Sequence, residues 1–169
     1  MGSRPSPRSD PVTAPYAAVL AMPFGRVGLR LAGDALAGID FLPPHTPTVP
    51  PDDPLAVRVS ETLRAYLADP RQPFADLPLR PAGTPFQRRV WQALRQLPAG
   101  QTITYGALAA RLGSGPRAVG NACRANPLPL VVPCHRVVAA GGLGGFAGHR
   151  AGGHTAIKAW LLRHEGALP

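Results

Sequence analysis

The spacing of apolar residues changes near residue 50, and this change is the strongest constraint on the fold. Between residues 16 and 42 apolar residues alternate with other residues on both sides of the turn-forming pair Gly33-Asp34. The alternating positions are Val27, Leu29, Leu31, Leu36, Ile39 and Phe41. This pattern predicts a β-hairpin. Over residues 54–68 the apolar residues instead recur at helical spacing, which predicts an amphipathic helix packed on the hairpin.

These two elements, separated by the proline-rich loop 43–54, predict a small domain over residues 16–80 and an α+β fold class. Residues 1–15 are rich in Pro, Ser and Arg without apolar periodicity, so we expect a disordered leader. Residues 78–84 are the expected linker to a second domain that covers residues 84–169.

The second domain is predicted to begin with short helices. Thr84 followed by proline is a typical helix start, and this helix ends by Gly100. Thr104 can cap a helix over residues 105–112, and another helix runs from Pro116 to about Ala125. Two short helices joined by a small glycine-containing turn favour a helix-turn-helix.

Charge is distributed unevenly between the two halves. Residues 1–81 carry eight Arg against eight Asp and Glu, whereas residues 82–169 carry nine Arg and one Lys against Glu165 alone. A domain this basic attracts polyanions, so nucleic acid is the leading partner, ahead of an anionic membrane surface. A role of the charge in solubility alone stays open as an alternative.

One predicted helix has two distinct faces. Val119, Ala122 and Cys123 form the inner face. Arg117, Gly120, Asn121 and Arg124 share the other face, at i, i+3, i+4 and i+7. That face is cationic at both ends and small in the middle, which suits a nucleic-acid groove, with Arg117 near bases and Arg124 near phosphate. A solvated charged face is the alternative.

Targeting signals are not recognised in the sequence. No positively charged leader precedes an apolar stretch, and no apolar run is long enough for a membrane span. Two cysteines do not build a disulfide framework, so we expect free thiols in a cytoplasmic protein without a membrane partner. The first half has only His45 and no cysteine, which argues against a zinc site there.

Cys134 and His135 are adjacent, just after an apolar stretch. A thiol is a good nucleophile only as thiolate, and a histidine is a candidate source of a base or a positive field. A free cysteine is more often a small buried hydrophobic residue, and neighbouring side chains of an extended segment diverge. The pair alone therefore leaves both interpretations open.

Glu165 falls on the apolar stripe of the last predicted helix, about residues 155–165. A carboxylate there is disfavoured by burial and by the helix dipole, so we expect a compensating partner; a frayed, solvated end is the alternative.

Several motifs in the second half occur together in one known family. They are Phe86-Gln87 to Trp91, Thr104-Tyr105-Gly106, Arg117-Ala118-Val119-Gly120, Asn126-Pro127, Pro133-Cys134-His135-Arg136-Val137-Val138 and Trp160-Leu161-Leu162-Arg163-His164-Glu165-Gly166. In this combination the chain resembles the O6-alkylguanine-DNA alkyltransferases, strongly over about residues 84–166 and more loosely over 16–80. The resemblance implies a ribonuclease-H-like first domain and a mainly helical, winged helix-turn-helix second domain.

The resemblance also implies a reaction. Cys134 takes the alkyl group from O6 of guanine and keeps it, so each molecule reacts once and needs no metal or other cofactor. By the same resemblance Glu165 orients His135, which deprotonates the thiol through a water molecule. If Glu165 pairs with His135 in this way, we expect the His135 cation to be stabilised and to favour a Cys134 thiolate. Replacing Glu165 by Gln is then expected to slow transfer at neutral pH at little cost in stability. Asn126 braces the turn before the active site, and Tyr105 rotates the target phosphate and donates a proton towards the leaving guanine.

The implied partner is double-stranded DNA containing O6-alkylguanine, with O4-alkylthymine as a further candidate, bound by a monomer. The target base is flipped out because a buried thiol does not reach a stacked base. Arg117 would fill the gap in the duplex. The carbonyls of Cys134 and Val137 and the amide of Ala147 would contact the guanine, and Phe146 stands where the family usually has tyrosine. The segment 149–153 resembles an insertion.

Other functions share part of this pattern. A cysteine hydrolase has the thiol and histidine but turns over repeatedly and has no use for the Arg117 helix. A DNA-binding regulator needs no reactive thiol. A non-catalytic protein that recognises alkyl damage would keep the fold without the acceptor, and Cys134 argues against it.

Overall fold

The computed structural model describes residues 16–72, 74, 76–145 and 153–169. It shows a mixed α and β chain, in agreement with the predicted α+β class. The elements in chain order are β1 (Ala18–Met22), β2 (Gly25–Ala32), β3 (Ala35–Leu42), α1 (Pro54–Ala68), α2 (Pro85–Arg95), β4 (Ile103–Thr104), α3 (Tyr105–Leu112), α4 (Pro116–Arg124), a 3-10 turn (Cys134–Arg136), β5 (Val137–Val138) and α5 (Gly153–His164).

The first half contains an antiparallel sheet in the order β1-β2-β3. The predicted hairpin is confirmed for β2 and β3, which Gly33 joins with a positive φ of 59°. The pattern did not predict β1. All of β1 except Ala21 is buried, so both of its faces are apolar and the alternation that marks a half-exposed strand is missing.

Helix α1 has the predicted bounds and packs its apolar stripe into the core. The Asp53 carboxylate accepts a hydrogen bond from the Leu55 amide and so caps the first turn. Val59, Leu63 and Tyr66 are buried in the same apolar cluster as the strands. Tyr66, near the C-terminal end of α1, is therefore buried in the interior.

The helices of the second half begin where their capping residues predict. Thr84 and Gln87 form a capping box at the start of α2, and Thr104 accepts a hydrogen bond from the Ala107 amide at the start of α3. Gly113 ends α3 in the left-handed conformation, with φ 64°. The Trp91 indole donates to the Ala122 carbonyl at 2.8 Å and joins α2 to α4.

The last helix differs slightly from its predicted range. Helix α5 begins at Gly153 rather than Thr155 and ends at His164, and the Glu165 amide still donates to the Leu161 carbonyl at 3.0 Å. The alternative of a frayed, solvated end is wrong because Glu165 is only 8% exposed. The leader 1–15 and most of the segment 149–153 lie outside the described residues.

The two halves share one apolar core. The Ile39 amide on β3 donates to the Pro127 carbonyl at 2.9 Å, and Leu36 exchanges backbone hydrogen bonds with the 78–80 segment. A short parallel pair, β4 with β5, places Ile103 beside Val137. The division into domains at residues 80–84 stays a prediction. In the part of the chain that the structure describes, no helix is both long and apolar enough to cross a membrane.

Candidate active site

Asn126 organises the loop between α4 and the 3-10 turn. Its side-chain oxygen accepts from the Leu128 amide at 2.9 Å, and its Nδ2 donates to the Val132 carbonyl at 2.9 Å and to Cys134 Sγ at 3.2 Å. The loop also holds Leu130 at a φ of 77°, which is rare for a residue with a side chain. The Asn126 side chain therefore forms hydrogen bonds with both ends of the loop and with the thiol.

Cys134 is a buried thiol. It opens the 3-10 turn Cys134–Arg136 and is 6% exposed. Burial raises the pKa of the Cys134 thiol, although the Asn126 hydrogen bond and the charge of Lys158 act in the opposite direction. The resting side chain is thus a neutral thiol at neutral pH, and it needs a base when it reacts.

Glu165 is the acceptor at the centre of a buried polar network. Its Oε2 accepts from His135 Nε2 at 2.7 Å, from the Tyr66 hydroxyl at 2.6 Å and from Arg136 Nη2 at 3.0 Å. Its Oε1 accepts from Arg136 Nε at 2.9 Å. The predicted partner of Glu165 is therefore present, and two further donors accompany it.

Protonation states in the network follow from these bonds. Burial acts to raise the pKa of Glu165, but the hydrogen bonds from His135 and Arg136 lower it to about 2. Burial lowers the pKa of His135 despite Glu165, and the cations Arg136 and Lys158 lower it further. Glu165 thus favours the His135 cation as expected, but burial outweighs this effect and holds the pKa of His135 below its usual value. The imidazole is neutral at rest.

The tautomer of His135 is set by its partner. An ionised carboxylate only accepts hydrogen bonds, so Nε2 of the neutral imidazole carries the proton that points at Glu165. The lone pair is then on Nδ1. His135 is 0% exposed and follows the thiol directly in sequence, so this arrangement provides a base within the buried site.

Lys158, the only lysine of the chain, is buried on α5. Its Nζ donates to the Val137 carbonyl at 2.7 Å and to the Gly145 carbonyl at 2.8 Å. Burial lowers the pKa of Lys158 to about 8. The Val137 carbonyl, which the resemblance assigns to guanine, thus already accepts one bond, and a carbonyl oxygen has a second lone pair for another donor.

Tyr105 begins α3 and is half-buried. Its ring centroid is 5.9 Å from Lys158 Nζ. A Cβ on Gly144 would be 3.2 Å from the ring, so glycine permits this close approach. Burial raises the pKa of Tyr105 to about 12, and the hydroxyl remains a donor at neutral pH. Phe146 and Ala147 lie outside the described residues.

The two predicted faces of α4 are confirmed. Val119, Ala122 and Cys123 are buried, and burial raises the pKa of the Cys123 thiol to about 12. Arg117, Asn121 and Arg124 are exposed, and Gly120 is half-exposed. The ion pairs found among the described residues all lie away from α4, so its outer face presents unneutralised arginines to solvent.

A Cβ on Gly120 would be 4.0 Å from the Tyr105 ring, so the outer face of α4 adjoins that tyrosine. Tyr105 thus lies next to both the outer face of α4 and the buried Lys158.

Sequence reasoning missed three side chains of the site: Tyr66, Arg136 and Lys158. Arg136 was visible only as the residue after the Cys-His pair, and Lys158 only as the sole lysine. Among the described residues, no three His, Cys, Asp or Glu side chains are grouped as a metal site would require.

Comparison with known proteins identifies the family. Residues 85–167 match the family model described as "6-O-methylguanine DNA methyltransferase, DNA binding domain". A Thermus thermophilus protein named "DNA base-flipping protein" is 50% identical over 116 residues, which are 68% of this chain and 76% of that protein. A Methanosarcina acetivorans methylated-DNA–protein-cysteine methyltransferase is 36% identical over 159 residues, 90% of this chain and 99% of that protein.

Solved structures give the same result. The crystal structure of Mycobacterium tuberculosis O6-methylguanine methyltransferase is 34% identical, with a TM-score of 0.74 over 89% of this chain and 92% of that chain. A crystal structure of the Mycobacterium tuberculosis OGT in complex with DNA has a TM-score of 0.70 and covers 87% of this chain and 90% of that chain. With relatives aligned over nearly their whole length, the chain belongs to the family of methylated-DNA–protein-cysteine methyltransferases, DNA-binding enzymes of alkyl-damage repair.

Proposed function

We propose that this protein flips O6-alkylguanine out of double-stranded DNA and transfers the alkyl group irreversibly to Cys134, once per molecule. The observation that carries the proposal is the environment of the buried Cys134 thiol. Asn126 Nδ2 donates to its sulfur at 3.2 Å, and the next residue, His135, forms a hydrogen bond with Glu165. O4-alkylthymine, which carries its alkyl group on an equivalent exocyclic oxygen, is a further candidate substrate.

In the proposed reaction the Cys134 proton passes to His135 Nδ1 by way of a water molecule, while Glu165 holds Nε2. The sulfur attacks the alkyl carbon, an S–C bond forms, and the bond from that carbon to O6 breaks with its electron pair left on the guanine. Tyr105 donates a proton to the leaving base and regains one from solvent, and His135 releases its proton to solvent. The thioether is stable, so the acceptor is consumed.

Flipping the base is required by the burial of the acceptor. Cys134 is 6% exposed, and an alkylated oxygen within a base stack does not reach a buried sulfur. Arg117, exposed at the start of α4, fills the space that the base leaves. Gly120 and Asn121 lie against the groove, and Arg124 contacts phosphate.

The flipped base would enter between Tyr105 and the glycine-rich segment that begins at Gly141. In this proposal the carbonyls of Cys134 and Val137 bind the guanine amino group. By resemblance to the family, we also assign Phe146 and the amide of Ala147 to substrate binding. Lys158 supports it by holding the carbonyls of Val137 and Gly145.

The finer descriptions of the fold belong to the same proposal. They are a ribonuclease-H-like domain over residues 16–80 and a winged helix-turn-helix domain over residues 84–169. The three-stranded antiparallel sheet with α1 supports the first, and the adjacent helices α3 and α4 support the second. We also propose that the protein acts as a monomer in the cytoplasm.

The decisive measurement is the intact mass of the protein after incubation with an O6-methylguanine oligonucleotide. We expect a gain of one methylene, located on the peptide that contains Cys134. Cys134→Ser should abolish the gain and retain DNA binding, whereas Cys123→Ser, which removes the other buried thiol, should react like the parent.

Repeated turnover, or a modified Cys123, would contradict the assignment. A parent protein that binds the damaged duplex tightly without any gain in mass would instead favour the second candidate, a non-catalytic protein that recognises alkyl damage. The Thermus thermophilus relative named for base flipping is the observation behind that alternative.

The flipping step has its own test in Arg117→Ala. We expect transfer from duplex DNA to slow by about tenfold or more, because filling the vacated stack offsets an unstacking cost of a few kcal/mol. Transfer from free O6-benzylguanine needs no duplex and should change less than about twofold by the same reasoning. Equal losses in single-turnover rates on both substrates would remove Arg117 from the flipping step.

A further inference from the structure

Among the described residues that donate to Glu165, Tyr66 alone comes from the first half of the chain. The two residues are 99 positions apart, and the tyrosine hydroxyl donates to Oε2 at 2.6 Å. Oε2 is the same oxygen that His135 Nε2 contacts at 2.7 Å. A residue of helix α1 thus reaches the acceptor atom on which the histidine depends.

Packing fixes where this hydroxyl points. Tyr66 is 2% exposed, and its ring contacts Phe74 and His164 at centroid distances of 5.4 and 5.2 Å. His164 Nε2 also forms a hydrogen bond with the Tyr66 backbone carbonyl at 2.9 Å, and Trp160 stacks on His164 at 4.9 Å. The tyrosine is therefore held from both its backbone and its ring.

We propose that Tyr66 is a positioning residue for alkyl transfer, whose hydroxyl shares Glu165 Oε2 with His135 and keeps the imidazole able to accept the thiol proton. The inference rests on the proposed function, since it assigns the control of the base in that reaction. Its basis is the geometry of one oxygen that binds both donors at hydrogen-bond distance.

The physical argument concerns the charge on Oε2. A hydrogen bond donated by the tyrosine withdraws electron density from this oxygen and weakens its hold on the Nε2 proton. A less basic acceptor stabilises the imidazolium less, so His135 stays neutral to lower pH. Burial and the negative charge of Glu165 both raise the pKa of Tyr66, which keeps its proton available for this bond.

Other charged groups face the same histidine. Arg136 binds both oxygens of Glu165, and Lys158 lies in the electrostatic surroundings of His135. Both cations lower the pKa of His135, whereas the negative charge of Glu165 raises it. Tyr66 acts in the same direction as the cations, but it brings no charge into the site.

The test is Tyr66→Phe, which keeps the ring and removes the donor. Single-turnover transfer from O6-methylguanine DNA is measured from about pH 4 to 9, and the acid limb reports the protonation of the base. We expect its midpoint to move up by about half a unit to one unit, which makes transfer below the midpoint about threefold to tenfold slower relative to the alkaline plateau of each protein.

Tyr16→Phe is the matched control. Tyr16 also lies in the first half and donates to a carboxylate, Asp40 Oδ2 at 2.7 Å, remote from His135 in sequence. We expect its acid limb to superimpose on that of the parent. An equal shift in both variants would indicate a general effect on the first half of the chain and would overturn the inference.

The remaining outcomes are distinguishable. If Tyr66 is only structural, Tyr66→Phe lowers the melting temperature and the reactive fraction, yet the midpoint stays at the parent value, and the inference fails. If the parent gains no alkyl group on Cys134 at any pH, the proposed function fails first. Rescue of the parent profile by Tyr66→Trp, which restores a donor in a different position, would also contradict the positional role.

Discussion

Two carboxylates in this molecule each accept hydrogen bonds from one arginine and one tyrosine. In the first half, Asp40 binds Arg30 Nε at 2.9 Å and the Tyr16 hydroxyl at 2.7 Å. In the second half, Glu165 binds its arginine and tyrosine at 2.9 and 2.6 Å. The donor types and distances are nearly the same, so the difference between the clusters lies elsewhere.

Burial and one added residue separate the two clusters. The side chains of Arg30 and Asp40 are 36% and 35% exposed, whereas those of Arg136 and Glu165 are 9% and 0% exposed. Of the two clusters, as far as the structure describes them, the buried one alone contains a histidine. Water competes for Asp40 and is largely excluded from Glu165. The same donor types therefore act in different surroundings, and only in the buried cluster do we propose that they control a proton.

The largest difference should follow removal of the charge at each acceptor. Glu165→Gln is expected to lower the free energy of unfolding by about 3 kcal/mol, because Arg136 is left buried opposite an amide. Transfer at neutral pH should slow by about tenfold to hundredfold through loss of the His135 partner. Asp40→Asn should cost less than about 1 kcal/mol and leave transfer unchanged. Denaturant unfolding and single-turnover rates measure both.

This expectation reverses the small stability cost that the sequence favoured for Glu165→Gln. The linkage has a definite sign: Glu165 has a folded-state pKa of about 2, below its usual 4.5, so its stabilisation is present above pH 4.5 and is lost as the pH falls towards 2. The parent should therefore lose stability in that window, and Glu165→Gln should lose less. Parallel stability curves for the two proteins would contradict the assignment.

A smaller effect on stability is expected from replacing the arginine that donates to each carboxylate. Arg136→Lys keeps the charge but loses the paired contacts to Glu165 and the Nη1 contact to the Leu97 carbonyl at 2.6 Å. We expect a loss of about 1 to 2 kcal/mol in the free energy of unfolding. Arg30→Lys, in the half-exposed cluster, should cost about 0.5 kcal/mol or less. If thermal melts show equal losses of stability for Arg136→Lys and Arg30→Lys, burial does not account for the difference between the clusters.

The fold was predictable wherever local chemistry decides it. Thr84, Thr104 and Gly113 mark helix ends through their own hydrogen bonds or backbone conformation, and these predictions are confirmed. The strand Ala18–Met22 was missed because both of its faces are buried, which removes the alternation. Its place in the sheet depends on pairing with Gly25–Ala32, and no local pattern encodes that pairing.

The site was predictable in part for a similar reason. The spacing on the last helix indicated that Glu165 needs a partner, and the structure shows a hydrogen bond between Glu165 and His135. Tyr66 reads in the sequence as one more member of an apolar stripe, since its ring does pack in the core. Its hydroxyl bond spans 99 residues, and the 0% exposure of Lys158 depends on carbonyls from other segments. Such contacts exist only after the chain has folded.

The neutral, buried state of Cys134 also affects which other reagents reach the thiol. Peroxides and other small electrophiles attack thiolates, and their access to a sulfur that is 6% exposed is poor. In the single-turnover reaction that we propose, a molecule whose sulfur has been oxidised no longer accepts an alkyl group. Burial of the protonated sulfur would then preserve each acceptor for that reaction.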